Sequence, residues 1–184
     1  SPKFFHTEQL SYIKFEEGDS LYQNVNPNIN KYDNLSFTVL LRPISVSSSH
    51  WNGWNNVITR KILTDGKPLF NFGLHPEGWI AITRFDRDCE SCVLEHEYYF
   101  SRSDSELLLV NYILNRSDEK VYFYENNKLI FNYDIENKPI TLQGINIGGG
   151  TLNADIIEII ATTNINKITE INNYLIEKWG LSFE

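Results

Sequence analysis

The apolar residues change their period once along the chain, close to its C-terminus. Residues 155–161 form a β-branched run that is typical of a strand, and the glycines at 148–150 predict a bend just before it. Beyond this run, apolar residues recur at spacings of three and four, which predicts one amphipathic helix on the stripe Ile168, Ile171, Leu175 and Trp179. We expect Asn166 to cap the start of this helix and Gly180 to close its end.

Everything before this helix has the alternation and the turn residues of strands. An opening hairpin is predicted in residues 11–22, with Ile13 and Phe15 on one face, and a strong strand from Leu35 that Pro43 terminates. Further strands are predicted at 57–63, 68–74, 79–85, 93–100, 107–114, 121–124, 128–133 and 140–147. About a dozen strands exceed the number in an immunoglobulin domain.

Two packed antiparallel sheets accommodate that number of strands. We therefore expect an all-β jelly-roll sandwich with one short C-terminal helix. The length suits a single domain over residues 1–184. Because methionine is absent even at position 1, we expect a processed chain, an expression scar or a segment excised from a longer protein.

The chain resembles the concanavalin A-like lectin/glucanase superfamily, and within it the laminin-G-like jelly-roll domains of secreted bacterial and phage structural proteins. The likeness lies in residues 12–21, 35–43, 121–130, 145–149, 154–160 and 174–180. The family's hairpin usually turns at Asn-Gly. Here Asn126 and Asn127 take that place, and asparagine also adopts positive φ. The resemblance implies the jelly-roll fold of this superfamily and no particular ligand. Members of the superfamily include sugar-binding modules, glycoside hydrolases, adhesive domains and architectural domains.

The composition argues against two classes of partner, nucleic acids and membranes. The formal net charge of -8 repels phosphate backbones, so nucleic acid is not expected as a partner. No apolar run approaches the roughly 20 residues that span a bilayer, so membrane insertion is not expected either.

The polar loop between the strands at 35–41 and 57–63 is the best candidate site. Its indoles offer flat apolar faces, and its amides offer donors and acceptors, a combination that suits a pyranose. The predicted carbohydrate-binding residues are His50, Trp51, Asn52, Trp54, Asn55 and Asn56. Alternatively, one Trp caps the sandwich core and the amides are turn residues. We expect at least one of Trp51 and Trp54 to be exposed.

Other motifs have weaker functional interpretations. Cys89, Cys92 and His96 lack a fourth zinc ligand, which favours a disulfide or two free thiols. Glu95 and Glu97 share a strand face, but they lack the Asp of the glucanase motif, so a solvated face explains them better.

The remaining aromatic and acidic residues give secondary candidates. Tyr122 and Tyr124, like the aromatics at 98–100, could line a binding surface, although core positions and cross-strand pairs are commoner. Trp79 and Trp179 are predicted to be structural. No metal site is expected, because the available aspartates show no ligand spacing: Asp19, Asp33, Asp86, Asp88 and Asp155. Calcium is left open as a cofactor, because the resemblance implies it: calcium is common in that superfamily.

These observations predict a non-catalytic carbohydrate-binding module at a cell surface, located extracellularly or on a virion. Its partners would be a cell-surface glycan, with a homo-oligomer or virion neighbours left open. The first alternative is a structural or assembly domain that binds protein partners, and the second is a divergent glycoside hydrolase.

Overall fold

The computed structural model describes residues 3–6, 11–16, 20–23, 33–45, 55–61, 68–76, 78–85, 94–103, 106–135, 145–149 and 152–183. The strands in these ranges are β1 Lys3–His6, β2 Ser11–Phe15, β3 Ser20–Gln23, β4 Leu35–Ser45, β5 Asn55–Lys61, β6 Pro68–His75, β7 Gly78–Phe85, β8 Leu94–Phe100, β9 Leu108–Asn115, β10 Lys120–Glu125, β11 Lys128–Asp134, β12 Ile145–Gly148 and β13 Asn153–Thr162. A 3-10 turn at Ile165–Lys167 leads into one helix, α1, Ile168–Trp179.

The strands form two antiparallel sheets. The seven-stranded sheet has the order β1-β2-β13-β4-β9-β10-β11, and the six-stranded sheet has the order β3-β12-β5-β6-β7-β8. The predicted fold, an all-β two-sheet sandwich with a short C-terminal helix, is confirmed.

The main core lies between the sheets. Alternate residues of the central strands point into it, so Phe37 and Val39 of β4 face the aromatic residues Phe72 and Trp79 of the other sheet within one buried cluster. Phe123 of β10 packs between them, with its ring centroid 6.0 Å from that of Phe72 and 5.2 Å from that of Trp79. Trp79 is therefore a core residue, as predicted.

A second, smaller cluster covers the outer face of the seven-stranded sheet. Leu40 of β4 and Leu109 of β9 are completely buried there against Leu175 of α1. Ile171 and Trp179, from the predicted apolar stripe, pack around these three side chains. The helix therefore covers the centre of this sheet, and Trp179 is structural as predicted.

A buried amide pair joins the helix to the sheet. Asn111 and Asn172 each donate to the other's side-chain oxygen, at 2.8 and 3.0 Å. Their remaining amide hydrogens go to Thr38 Oγ1 and Asn127 Oδ1, both at 2.8 Å. Because both amide groups donate twice, the network satisfies its buried polar atoms and fixes the position of α1 on the sheet.

Strand pairing defines one end of the sandwich, which we call the upper end. In the seven-stranded sheet β4 and β10 end here, while β9, β11 and β13 begin. In the six-stranded sheet β6 and β8 end here, while β5 and β7 begin. A hydrogen bond from Trp79 at the start of β7 to Glu125 at the end of β10 joins the two sheets at this end.

The predicted opening hairpin is wrong. β2 pairs with β1 and β13 in the seven-stranded sheet, whereas β3 pairs with β12 in the six-stranded sheet. Ile13 and Phe15 do share a face, and Phe15 is fully buried in the main core. The alternation is therefore satisfied, but the chain crosses between the sheets after β2 instead of turning back.

The predicted strand end at Pro43 is also wrong, because β4 continues to Ser45. Pro43 lies opposite Ala154, next to a register shift between Asn153 and Ala154 on β13. Such an irregularity accommodates a residue that cannot donate to the ladder.

The turn and cap predictions differ in outcome. Asn126 and Asn127 have φ of 51° and 65°, which confirms the positive-φ turn between β10 and β11. Gly180 closes α1 in the left-handed conformation at φ 60°, as predicted. Asn166 is not the cap, because Asn164 accepts from the backbone N–H of Asn166 and the chain first makes the 3-10 turn.

Replacement of Asn172 by Ala is expected to lower the free energy of unfolding by about 1–3 kcal/mol, since Asn111 keeps a buried amide without its partner. Urea denaturation followed by tryptophan fluorescence measures this loss. Asn173→Ala, at the next and exposed position of the helix, is the matched control. Equal stability of the two variants would show that the amide pair does not hold the helix.

Candidate functional site

Two of the six predicted carbohydrate-binding residues lie at the upper end of the sandwich. Asn55 and Asn56 are the first residues of β5 and pair with Leu74 and Gly73 of β6. The other four, His50, Trp51, Asn52 and Trp54, lie outside the described residues, so their predicted role stays a prediction.

A buried carboxylate anchors this end. Glu125 is only 3% exposed, and its Oε2 accepts a hydrogen bond of 2.7 Å from Trp79 Nε1. Its Oε1 accepts from the backbone N–H of Ser103 at 2.9 Å. One side chain therefore holds together the start of β7, the end of β10 and the segment that follows β8.

Arg102 strengthens the same anchor. Its Nη1 donates to the carbonyl of Gly78 at 3.2 Å, and its Cζ lies 6.0 Å from the centroid of the Trp79 ring, within cation–π range. Residues 101–103 are thus tied to the start of β7 by backbone, carboxylate and guanidinium contacts.

Sequence reasoning missed Glu125, because it ended the predicted strand at residue 124. The sequence did carry a signal: side chains alternate between the two faces of a strand, so Glu125 points to the same face as Val121 and Phe123, which is the core face. A charged residue on a core-facing position needs a buried partner. Both of its oxygens accept hydrogen bonds, so this carboxylate serves as a structural anchor.

A second charged cluster lies on the outer face of the seven-stranded sheet. Asp155 of β13 is 2% exposed and accepts from Arg42 Nε at 2.9 Å. Arg42 also reaches the exposed Glu106 at 3.5 Å. Asp155, one of the aspartates considered for calcium, thus pairs with a guanidinium. Within the described ranges, no group of three or more His, Cys, Asp or Glu side chains is placed to hold a metal ion.

Tyr122 and Tyr124 of β10 lie on the outer face of the same sheet. Their ring centroids are 6.5 Å apart, and the Tyr122 hydroxyl donates to Asp118 Oδ2 at 2.9 Å. This hydrogen bond to a carboxylate raises the pKa of the Tyr122 phenol, and desolvation and the charge of Asp118 raise it further.

The remaining candidates are only partly described. Strand β8 contains Glu95, His96 and Glu97, and it confirms the strand predicted there, but their side chains lie outside the described residues. The side chains of 98–100 do so too, as do Cys89 and Cys92. In the part of the chain that is described, no helix is long and apolar enough to cross a membrane.

No protein-family model and no curated protein sequence matches the chain. Its fold is similar to solved structures of botulinum neurotoxins. One is the type C toxin, whose cell entry depends on interaction with two ganglioside molecules, with a TM-score of 0.69 and 12% identity over 95% of this chain and 45% of that chain.

Two further structures agree with this fold. The binding domain of botulinum neurotoxin DC, in complex with rat synaptotagmin II, has a TM-score of 0.69 and 13% identity over 95% of this chain and 45% of that one. The serotype G binding domain has a TM-score of 0.69 and 14% identity over 100% of this chain and 46% of that one. The chain thus spans less than half the length of these neighbours, and the likeness is one of fold.

Replacement of Glu125 by Gln is expected to lower the free energy of unfolding by about 1–3 kcal/mol, because an amide can accept only one of the two hydrogen bonds that the carboxylate accepts. Chemical denaturation measures the loss, and hydrogen exchange at Ser103 N–H should become faster. Glu106→Gln, at an 80% exposed side chain, is the matched control. Unchanged exchange at Ser103 would contradict the anchoring role.

The Tyr122 phenol is expected to titrate above the ordinary tyrosine value of about 10. Since the folded state raises this pKa, the contribution of the Tyr122–Asp118 hydrogen bond to stability is complete below that value and is lost as pH rises through the raised pKa. Ultraviolet difference titration should show the Tyr122 pKa falling in Asp118→Ala and changing less in Asp134→Ala, whose charge acts only at longer range. Equal pKa changes in both variants would contradict this cause.

Proposed function

We propose that the chain is a non-catalytic recognition module that binds a cell-surface glycan, acting outside the cell or on a virion surface. The residues that would bind the sugar are those of the polar loop, His50, Trp51, Asn52, Trp54, Asn55 and Asn56.

One observation carries this proposal: the loop enters β5 at Asn55, at the end of the sandwich where Glu125 anchors neighbouring connections. Ser45, the last residue of β4, is held at the same end by a hydrogen bond of 2.8 Å from Asn153. Fixed flanking strands lower the entropic cost of ordering binding residues between them.

The binding chemistry follows from the residue types. An indole packs against the C–H face of a pyranose, while asparagine amides donate to and accept from its hydroxyls. Such sites are weak individually. Display of several copies, in a homo-oligomer or among virion neighbours, would raise the overall affinity without any new contact.

The structural neighbours support a recognition role by analogy. They are binding domains, and entry of the type C toxin into cells depends on gangliosides, which are glycolipids. The same group includes a complex with a protein, rat synaptotagmin II, so a protein ligand is the second candidate.

The double variant Trp51→Ala, Trp54→Ala is expected to lose glycan binding on an array while its melting temperature stays nearly unchanged. Both proteins are measured with and without calcium, which tests the cofactor left open. Tyr174→Ala, which removes an exposed aromatic from α1, is the control and should bind like the wild type.

Four results would count against the proposal. A double variant that binds glycan as well as the wild type would show that the loop is not the binding site. An unfolded double variant would show that the two tryptophans are core residues. Silence of the wild type across the array would favour the structural or protein-binding alternative. Turnover of a polysaccharide would favour the divergent hydrolase.

A further inference from the structure

The outer face of β10 and β11 carries a surface that the proposed loop site does not use. On β10, Val121 and Phe123 are buried in the main core, so Tyr122 and Tyr124 emerge on the opposite face. Their partners on β11 share that face. Asn132 lies opposite Tyr122, and Leu129 lies opposite Tyr124. We call Tyr122, Tyr124, Leu129 and Asn132 the tyrosine platform.

A bulge extends the apolar part of the platform. The register between β10 and β11 shifts between Phe123 and Tyr124, which places Leu129 directly across from Tyr124. Ile130, the extra residue of the bulge, packs on the main core instead. Leu129 is left 44% exposed beside the two partly exposed rings.

The platform is fixed before any ligand arrives. Asp118 Oδ2 accepts from the Tyr122 hydroxyl at 2.9 Å and from Asn115 Nδ2 at 2.8 Å. Asn115 Oδ1 in turn accepts from the backbone N–H groups of Ser117 and Asp118, at 3.0 and 3.3 Å. The Tyr122 ring is therefore held by a chain of hydrogen bonds, which reduces the ordering cost of a partner that stacks on it.

The two rings suit consecutive sugar units. Their planes differ by 33° and their centroids are 6.5 Å apart, a separation comparable to one pyranose with its glycosidic oxygen. The exposed Asn132 and Asp118 supply donors and acceptors beside the rings. Among the described strands, β11 is the edge strand of its sheet, so an extended chain can run past this edge.

Charge selects the class of sugar. Asp118 and Asp134 flank the platform, and Lys120 is already paired with Asp134 at 3.0 Å. The formal net charge of the chain is -8. The Asp118 carboxylate beside Tyr122 and the overall charge both disfavour acidic sugars.

We propose that the tyrosine platform is a second binding site, specific for a neutral linear glycan that stacks consecutive residues on Tyr122 and Tyr124. The platform belongs to the seven-stranded sheet, whereas Asn55 and Asn56 belong to the six-stranded sheet. The platform does not depend on the proposed role of the polar loop.

The test titrates the whole chain with cellohexaose, a neutral β-linked hexasaccharide, and with a sialylated oligosaccharide. In the wild type, cellohexaose should shift the ring resonances of Tyr122 and Tyr124 in NMR spectra, and the sialylated sugar should not. In calorimetry, the variant Tyr122→Thr, Tyr124→Thr should raise the Kd for cellohexaose at least tenfold, a loss of about 1.4 kcal/mol. Threonine keeps strand propensity at both positions.

Two controls separate this site from the loop. Tyr174→Ala should bind cellohexaose like the wild type, since Tyr174 is an exposed tyrosine on α1. Trp51→Ala, Trp54→Ala should also retain platform binding, whatever it does on the glycan array. Loss in the tyrosine variant alone supports the platform even where the loop proposal fails.

Other outcomes would overturn the platform. They are the absence of any tyrosine shift with cellohexaose in the wild type, equal Kd values for the wild type and the tyrosine variant, or loss of cellohexaose binding only in the Trp51, Trp54 variant. The NMR measurement on the wild type needs no folded variant, so the proposal stays testable if the threonine substitutions unfold the chain.

Discussion

The double burial of the central strands β4 and β9 is the constraint on which the rest of this structure depends. One face of each strand packs in the core between the sheets, and the other holds Leu40 and Leu109, which are equally buried. A sheet with an apolar outer face needs a cover. The C-terminal helix provides it with Leu175 and its neighbours, so this helix is an integral part of the sandwich.

Hydrogen bonds between polar side chains then fix the position of the helix on the sheet. Apolar packing alone tolerates small shifts of a helix across a sheet, whereas the Asn111–Asn172 pair has one satisfactory geometry. Glu125 plays the corresponding part at the upper end, where a buried carboxylate fixes the neighbouring connections. In both places hydrophobic burial supplies the stability, and a small polar network fixes how the packed elements are positioned.

Local sequence patterns predicted the elements of this fold well and their partners less well. The alternation of Ile13 and Phe15 was sufficient to predict a half-buried strand, but it is the same whether the chain turns back or crosses to the other sheet. Asn126, Asn127 and Gly180 were predictable because positive φ is a local property. The cap at Asn166 was wrong because the chain makes a 3-10 turn before the helix, and Asn164 caps that turn by accepting from the backbone N–H of Asn166.

The candidate sites divide in the same way. Aromatic and amide content identified the polar loop and the two tyrosines from composition and spacing. The spacing could not show that a bulge brings Leu129 beside Tyr124, or that Asp118 holds Tyr122, because both depend on pairing between strands. Glu125 went unrecognised because its partners, Trp79 and Ser103, are distant in sequence and meet only after the sheets pack.

The strand ends that flank residues 46–54 are secured by contacts with neighbouring strands. Ser45 is held by Asn153, and Asn55 is held by its pairing with Leu74. Surface loops whose flanking strands are fixed generally tolerate changes in sequence and length. The upper end is therefore suited to diversification, in evolution or by grafting, in the way that antibody frameworks carry variable loops on an invariant sandwich.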